Sequence, residues 1–144
     1  MPDLKLKATQ KIVAAALKEA RERGFKPLAV AVYDARGALK AFGAEDLTSL
    51  KRGEIAMGKA YGALALGVPS RSIGKMAAER PHFVASATHA VGGLLVPVPG
   101  GVLIRDGKGA LVGAVGVSGD TSDNDEIAAV AGIEAAGLAA ETGA

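Results

Sequence analysis

The sequence predicts an α/β protein built on one antiparallel sheet with helices on both of its faces. Three observations lead there. Two Asp-x-x-Gly stretches, Asp34-Ala35-Arg36-Gly37 and Asp106-Gly107-Lys108-Gly109, sit between short apolar runs and mark hairpin turns. The runs LAVAVYD and ALVGAVGVS are apolar at consecutive positions, so both sides of those strands are covered. The elements read α-β-β-α-α-β-β-β-α, with no regular βαβ repeat, and this favours antiparallel over parallel pairing.

The elements follow in order. Ile12, Val13, Ala16, Leu17 and Ala20 form one stripe of a helix over Leu6 to Arg23, closed by Gly24 and Pro27. Leu28 to Asp34 is a strand, and Ala38 to Phe42 is its hairpin partner. After a loop over Gly43 to Thr48, Thr48 or Ser49 caps a second helix that ends at Leu66 before Gly67 and Pro69. Gly58 and Gly62, four residues apart on it, call for close approach of another element. Ser70 starts a short helix through Ala78, stopped by Pro81. His82 to Gly93 fits neither pattern. Leu94 to Pro97, Val102 to Arg105 and Ala110 to Ser118 read as three strands. The last helix starts at Ser122 or Asp123 and runs to Ala140, with acidic residues at its positive end.

Composition bounds the function. The 144 residues, read as a single domain over 1–144, are 49% hydrophobic and 22% charged, which excludes a disordered chain. Aromatic residues are 3% and glycine numbers 20, so the core is aliphatic and closely packed. A net charge of +2, with its basic residues dispersed, gives no nucleic-acid footprint. The absence of cysteine excludes disulfides, thiolate catalysis and thiolate metal sites. No apolar run approaches the ~20 residues of a membrane span, and MPDLKLKATQ has no apolar signal core. A cytoplasmic protein without membrane contact is the expectation.

The segments LAVAVYDARGALKAF, EIAMGKAYGALALGVPS and GGLLVPVPGGVLIRDGKGALVGAVGVSGDTSDNDEIAAVAG, in this order and spacing, resemble the GlcG/HbpS family. The same domain forms the C-terminal part of PduO-type proteins. The resemblance covers Leu6 to about Gly137. It implies a profilin-like three-layer sandwich with a five-stranded antiparallel sheet, and assembly into homo-oligomers from dimer to octamer. It also implies a small-molecule-binding protein whose ligand is haem or a related tetrapyrrole or corrinoid. The alternative is a small enzyme acting on a carboxylate-bearing metabolite, with Lys59, Asp46 and Asp125 in its pocket, or an accessory subunit. Asp46 stands where relatives carry Asp-Gly. Leu47 follows it here, so that match is partial.

His82 and His89 are the only histidines, and imidazole is the usual protein ligand of haem iron. Seven residues apart, they share a face if the segment is helical, and His89 is preferred for its place beside Gly92-Gly93. The alternative is two polar surface histidines. Asp120, Asp123, Asp125 and Glu126 offer oxygens to a hard cation, with Asp123 and Asp125 the candidates; equally they cap the last helix. Asp125 and Lys59 match residues common in the family. Lys59, on an otherwise apolar helix, pairs with a substrate carboxylate, a haem propionate or Asp46, or forms another salt bridge. Gly100 and Gly101 precede one strand of the Asp106 hairpin and Ser118 ends the other. The three therefore share a sheet edge, and with Lys59 they line a candidate pocket at a subunit contact. Ser118 does not sit in a nucleophile elbow, because Gly116-Val117-Ser118-Gly119-Asp120 lacks the second glycine at the required position.

Overall fold

The computed structural model describes residues 3–144. Five helices, α1 (Leu6–Arg23), α2 (Arg52–Leu66), α3 (Ser70–Glu79), α4 (Pro81–Ala90) and α5 (Ser122–Ala135), surround one sheet. Its strands are β1 (Ala29–Asp34), β2 (Leu39–Ala44), β3 (Gly101–Arg105), β4 (Leu111–Ser118) and β5 (Ala139–Glu141). They lie in the order β2-β1-β4-β3-β5, every neighbouring pair antiparallel. Among the described residues no helix is long and apolar enough to cross a membrane.

The two hairpins turn by the same device. Asp34 Oδ1 accepts from the Arg36 and Ala38 amides, and Asp106 Oδ1 accepts from the Lys108 and Ala110 amides. Gly37 and Gly109 supply the left-handed residue that each turn needs, at φ 86° and 82°. Asp34 is buried, which opposes its charge. Hydrogen bonds from the Arg36 side chain and the two amides nevertheless hold its carboxyl below the usual range.

Both faces of β1 are buried, as its unbroken apolar run predicts. Val30 and Val32 join Val115, Val117, Ile12 and Ile133 under α1 and α5. Ala29, Ala31 and Tyr33 join Ala56, Ala60, Ala63 and Ala114 under α2. The second face is lined by small residues because α2 lies on the sheet backbone itself. A Cβ at Gly116 would run into the Ala56 carbonyl oxygen, and one at Gly101 into that of Lys59.

Several elements depart from the sequence reading. Strand β2 occupies Leu39–Ala44, and α2 begins at Arg52, after a Ser49–Arg52 turn rather than a hydroxyl cap. The ambiguous segment is the helix α4, which opens on Pro81 at its first position. Leu94 to Pro97 is not a strand. Pro97 and Pro99 remove alternate amides, and the segment crosses α2 instead, with the Val96 amide donating to the Gly58 carbonyl. Leu95 and Val96 are the close neighbours that Gly58 and Gly62 make room for. The last helix stops at Ala135, where Gly137 at φ 77° turns the chain and Leu138 donates back to Ile133. Residues 139–141 then add the fifth strand beside β3.

Candidate functional site

Lys59 is carried by α2, whose seat on the sheet leaves its side chain no route to water. Its ammonium reaches the end of β4 and the first turn of α5, donating to Val117 O at 2.9 Å and Asp125 Oδ2 at 2.9 Å. Only 2% of each side chain is exposed. The other carboxylate oxygen of Asp125 accepts from the Asp120 amide at 2.9 Å, which fixes the loop between β4 and α5. Burial pushes Lys59 below and Asp125 above their ordinary pKa values, and each charge opposes the shift of the other. Gly100, at φ 123°, lies against Lys59, and a Cβ there would come 2.8 Å from its Nζ.

Gly100 and Gly101 lie against Lys59, and Ser118 follows Val117, whose carbonyl Lys59 reaches, but all four residues are buried in close packing. Ser118 is buried and accepts from Arg52 Nη1 at 3.2 Å. The Gly101 amide donates to Ser70 Oγ at 2.7 Å. The partner of Lys59 is Asp125, however, and not Asp46. A carboxylate ligand would have to displace Asp125 from a closed contact.

Asp123 and Asp125 face different protein cations. Asp125 faces Lys59, whereas Asp123, with Glu126, holds Arg71 of α3. Among the described residues no three His, Cys, Asp or Glu side chains gather as a metal cluster. The capping function at this helix end falls to Thr121, whose hydroxyl accepts from the Asn124 amide at 3.2 Å.

His82 and His89 stand apart from this buried pair. Helix α4 packs through Val84 and Ala87, with Val84 beside Ile73 and Leu95, and turns both histidines outward. At 1.5 Å per residue they are about 10.5 Å apart along one face, with exposed Ser86 between them. Helix α4 contains no Asp, Glu, Lys or Arg. Phe83 is 43% exposed, and the Arg80 guanidinium lies 4.6 Å from its ring centroid.

Sequence reasoning missed Arg52, Arg71, Ser70 and the Arg80–Phe83 stack. Three of the four are arginines or a serine that look like ordinary surface residues, since their partners are 55, 66 and 31 positions away. The stack had a local signal, an Arg three residues before a Phe across a helix start.

The layers and the two candidate regions define a three-layer α/β sandwich with a closed ion pair inside and an uncharged histidine-bearing helix outside. The chain belongs to the HbpS-like family, described as haem degrading protein HbpS-like, whose model matches residues 4–134. HbpS has a solved structure similar to this chain at 29% identity, covering 92% of this chain and 89% of that one, with a TM-score of 0.77. A double mutant of HbpS from Streptomyces reticuli is similar at 28% identity, with coverage of 93% and 87% and a TM-score of 0.79. The PduOC:heme complex shares the fold at 22% identity, covering 98% and 100%, with a TM-score of 0.85. No curated protein matches the chain.

Proposed function

We propose that this protein binds haem on the outer face of α4. The observation that carries the proposal is the line of His82, Ser86 and His89 along a helix face that is exposed and uncharged. Charged residues normally occupy an exposed helix face, so an uncharged one suits a flat apolar macrocycle. Membership of the HbpS-like family and the haem in the PduOC complex support the same ligand.

The residues fit the group. An exposed imidazole offers a ring nitrogen to iron, and both His82 and His89 are exposed. Phe83 supplies apolar contact, and Arg80 supplies a cation for a propionate. Bound haem supplies a redox-active iron. The chain's own residues bind it, orient it and set its exposure to water.

Hemin titration followed at the Soret band tests the proposal. Binding is expected, with His89→Ala changing the band more than His82→Ala. Identical spectra for the wild type and both variants would remove histidine ligation. Cobalamin, titrated in parallel, distinguishes haem from a corrinoid ligand. Assembly from several copies is part of the same proposal: α5 buries Ala128, Ala129 and Ile133 yet leaves Ile127 36% exposed.

A further inference from the structure

Residues 81–93 lie between two fixed posts. On one side, α3 is tied to the body twice, by Ser70 at Gly101 and by Arg71 at Asp123 and Glu126. On the other, Leu95 and Val96 seat against Gly58 and Gly62 of α2, and the Val96 amide donates to Gly58 O. Between the posts, among the described residues, no hydrogen bond or ion pair ties the segment to the sheet, α1, α2 or α5. Its backbone bonds reach only Arg80 and Leu95, and its one side-chain bond, from Thr88 Oγ1 to Val84 O, is internal. Val84 and Ala87, with Val91 beside them, hold it by packing alone.

Both ends of the segment are joints. Arg80, at φ −138° and ψ 67°, breaks the path from α3 into α4. Gly92 and Gly93 follow α4 at φ 79° and 90°, and no atom lies within 4 Å of where a side chain on either would begin. The helix between the joints has 10 residues. Isolated helices shorter than about 12–15 residues are marginal in water. Phe83, Val84, Ser86, Thr88 and the two histidines are also weaker helix formers than alanine. Once Val84 leaves its seat against Ile73 and Leu95, nothing keeps α4 wound. Leaving and unwinding are therefore one event. Helix α2 buries six residues and α5 five, against two on α4, so α4 opens at the lowest cost of the three.

We infer that α4 is a flap that unwinds and leaves the body as one unit while the sheet stays folded, and that this opening releases the ligand on its outer face. The release step rests on the haem reading above; the flap does not. His82, Ser86 and His89 share one side only while the segment is helical. The Arg80–Phe83 stack spans the joint where α4 begins, so unwinding disperses it as well. A ligand that uses this face binds the closed state and not the unwound one. It therefore holds the flap shut, and its affinity falls by the fraction of chains that are open. Loosening Val84, which touches no part of the outer face, must then free the ligand.

Hydrogen exchange on the haem-free protein, paired with hemin release, tests both parts. The backbone amides of α4 should exchange at least about a hundredfold faster than those of α2 and β4 in the same folded sample. Val84→Ala removes the seat from beneath the helix. It should quicken exchange in α4 by about tenfold and leave α2 and β4 unchanged. Transfer of hemin from the variant to an excess of a tighter haem-binding protein should quicken by a similar factor, with the Soret band at its wild-type position. Amides of α4 as slow as those of α2 would overturn the flap. Faster exchange in the variant with unchanged hemin transfer would overturn release through opening. Hemin that does not bind the wild type would overturn the haem reading and the release step together, and the exchange rates would still decide the flap.

Discussion

The two faces of the sheet solve the same packing problem in opposite ways. Under α1 and α5, β1 and β4 present Val30, Val32, Val115 and Val117, and branched side chains interlock with Ile12 and Ile133. Under α2 they present Ala29, Ala31, Ala114 and Gly116, and the helix backbone rests almost on the strands. The first face gains its stability from apolar area. The second gives up area for closeness, and that closeness encloses the Lys59 ammonium with Asp125 as its counter-charge. Where a helix stands off, a lost methyl leaves a void; where it lies flat, an added methyl has nowhere to go.

This contrast can be broken in four places, from the largest expected effect to the smallest. Lys59→Met should cost about 3–5 kcal/mol in urea unfolding, because it strands the Asp125 carboxylate in a closed site. Adding Asp125→Asn should recover most of that loss, since no charge is then buried and the Asp120 amide keeps an acceptor. Lack of recovery would mean that Lys59 acts through its packing rather than its charge.

Gly116→Ala should cost about 1–3 kcal/mol or more, since its Cβ meets the Ala56 backbone. On the opposite face, Ile133→Val should cost only about 0.5–1.5 kcal/mol. Equal costs at the two positions would erase the distinction between the faces.

The smallest effect belongs to the loop that presents Asp125. Hydrogen bonds from the Lys26 amide and the Asn124 side chain hold the Asp120 carboxyl below its ordinary pKa. On acidification the unfolded chain therefore takes up this proton first. The stabilisation is complete above the ordinary carboxylate range and is lost as pH falls through the lowered value. Asp120→Asn should cost most near neutrality and least in acid, read as converging unfolding midpoints of variant and wild type.

Much of this was legible in the sequence. The hairpins were legible because Asp-x-x-Gly carries its own turn chemistry, and α1 because its stripe and Gly24 agree. The family's fold was legible in the glycine-rich strands. Two strand assignments failed for different reasons. Leu94 to Pro97 has strand composition, but prolines at 97 and 99 cannot pair, and Gly58 and Gly62 offered the segment a helix to lie on. The fifth strand, Ala139–Glu141, is too short and alanine-rich to be told from a continuing helix; only Gly137 marked the break.

At the site, sequence brought Gly100, Gly101 and Ser118 to one sheet edge because hairpin geometry is local. It put Lys59 and Asp125 in one pocket only under the enzyme alternative and did not pair them directly, because that contact depends on how closely α2 settles on glycine and alanine. The left-handed backbone of Leu47 shows the reverse case, since a leucine gives no sequence signal for a conformation that glycine usually supplies.

The central claim is that the ligand surface lies on α4 and the buried pair is structural. Hemin titration of two double variants tests it most directly, with far-ultraviolet circular dichroism confirming that both are folded. Lys59→Met with Asp125→Asn should give the wild-type Soret band and affinity. His82→Ala with His89→Ala should lose the iron-coordinated band. A normal band without the histidines, together with its loss in the Lys59 and Asp125 variant, would contradict the account.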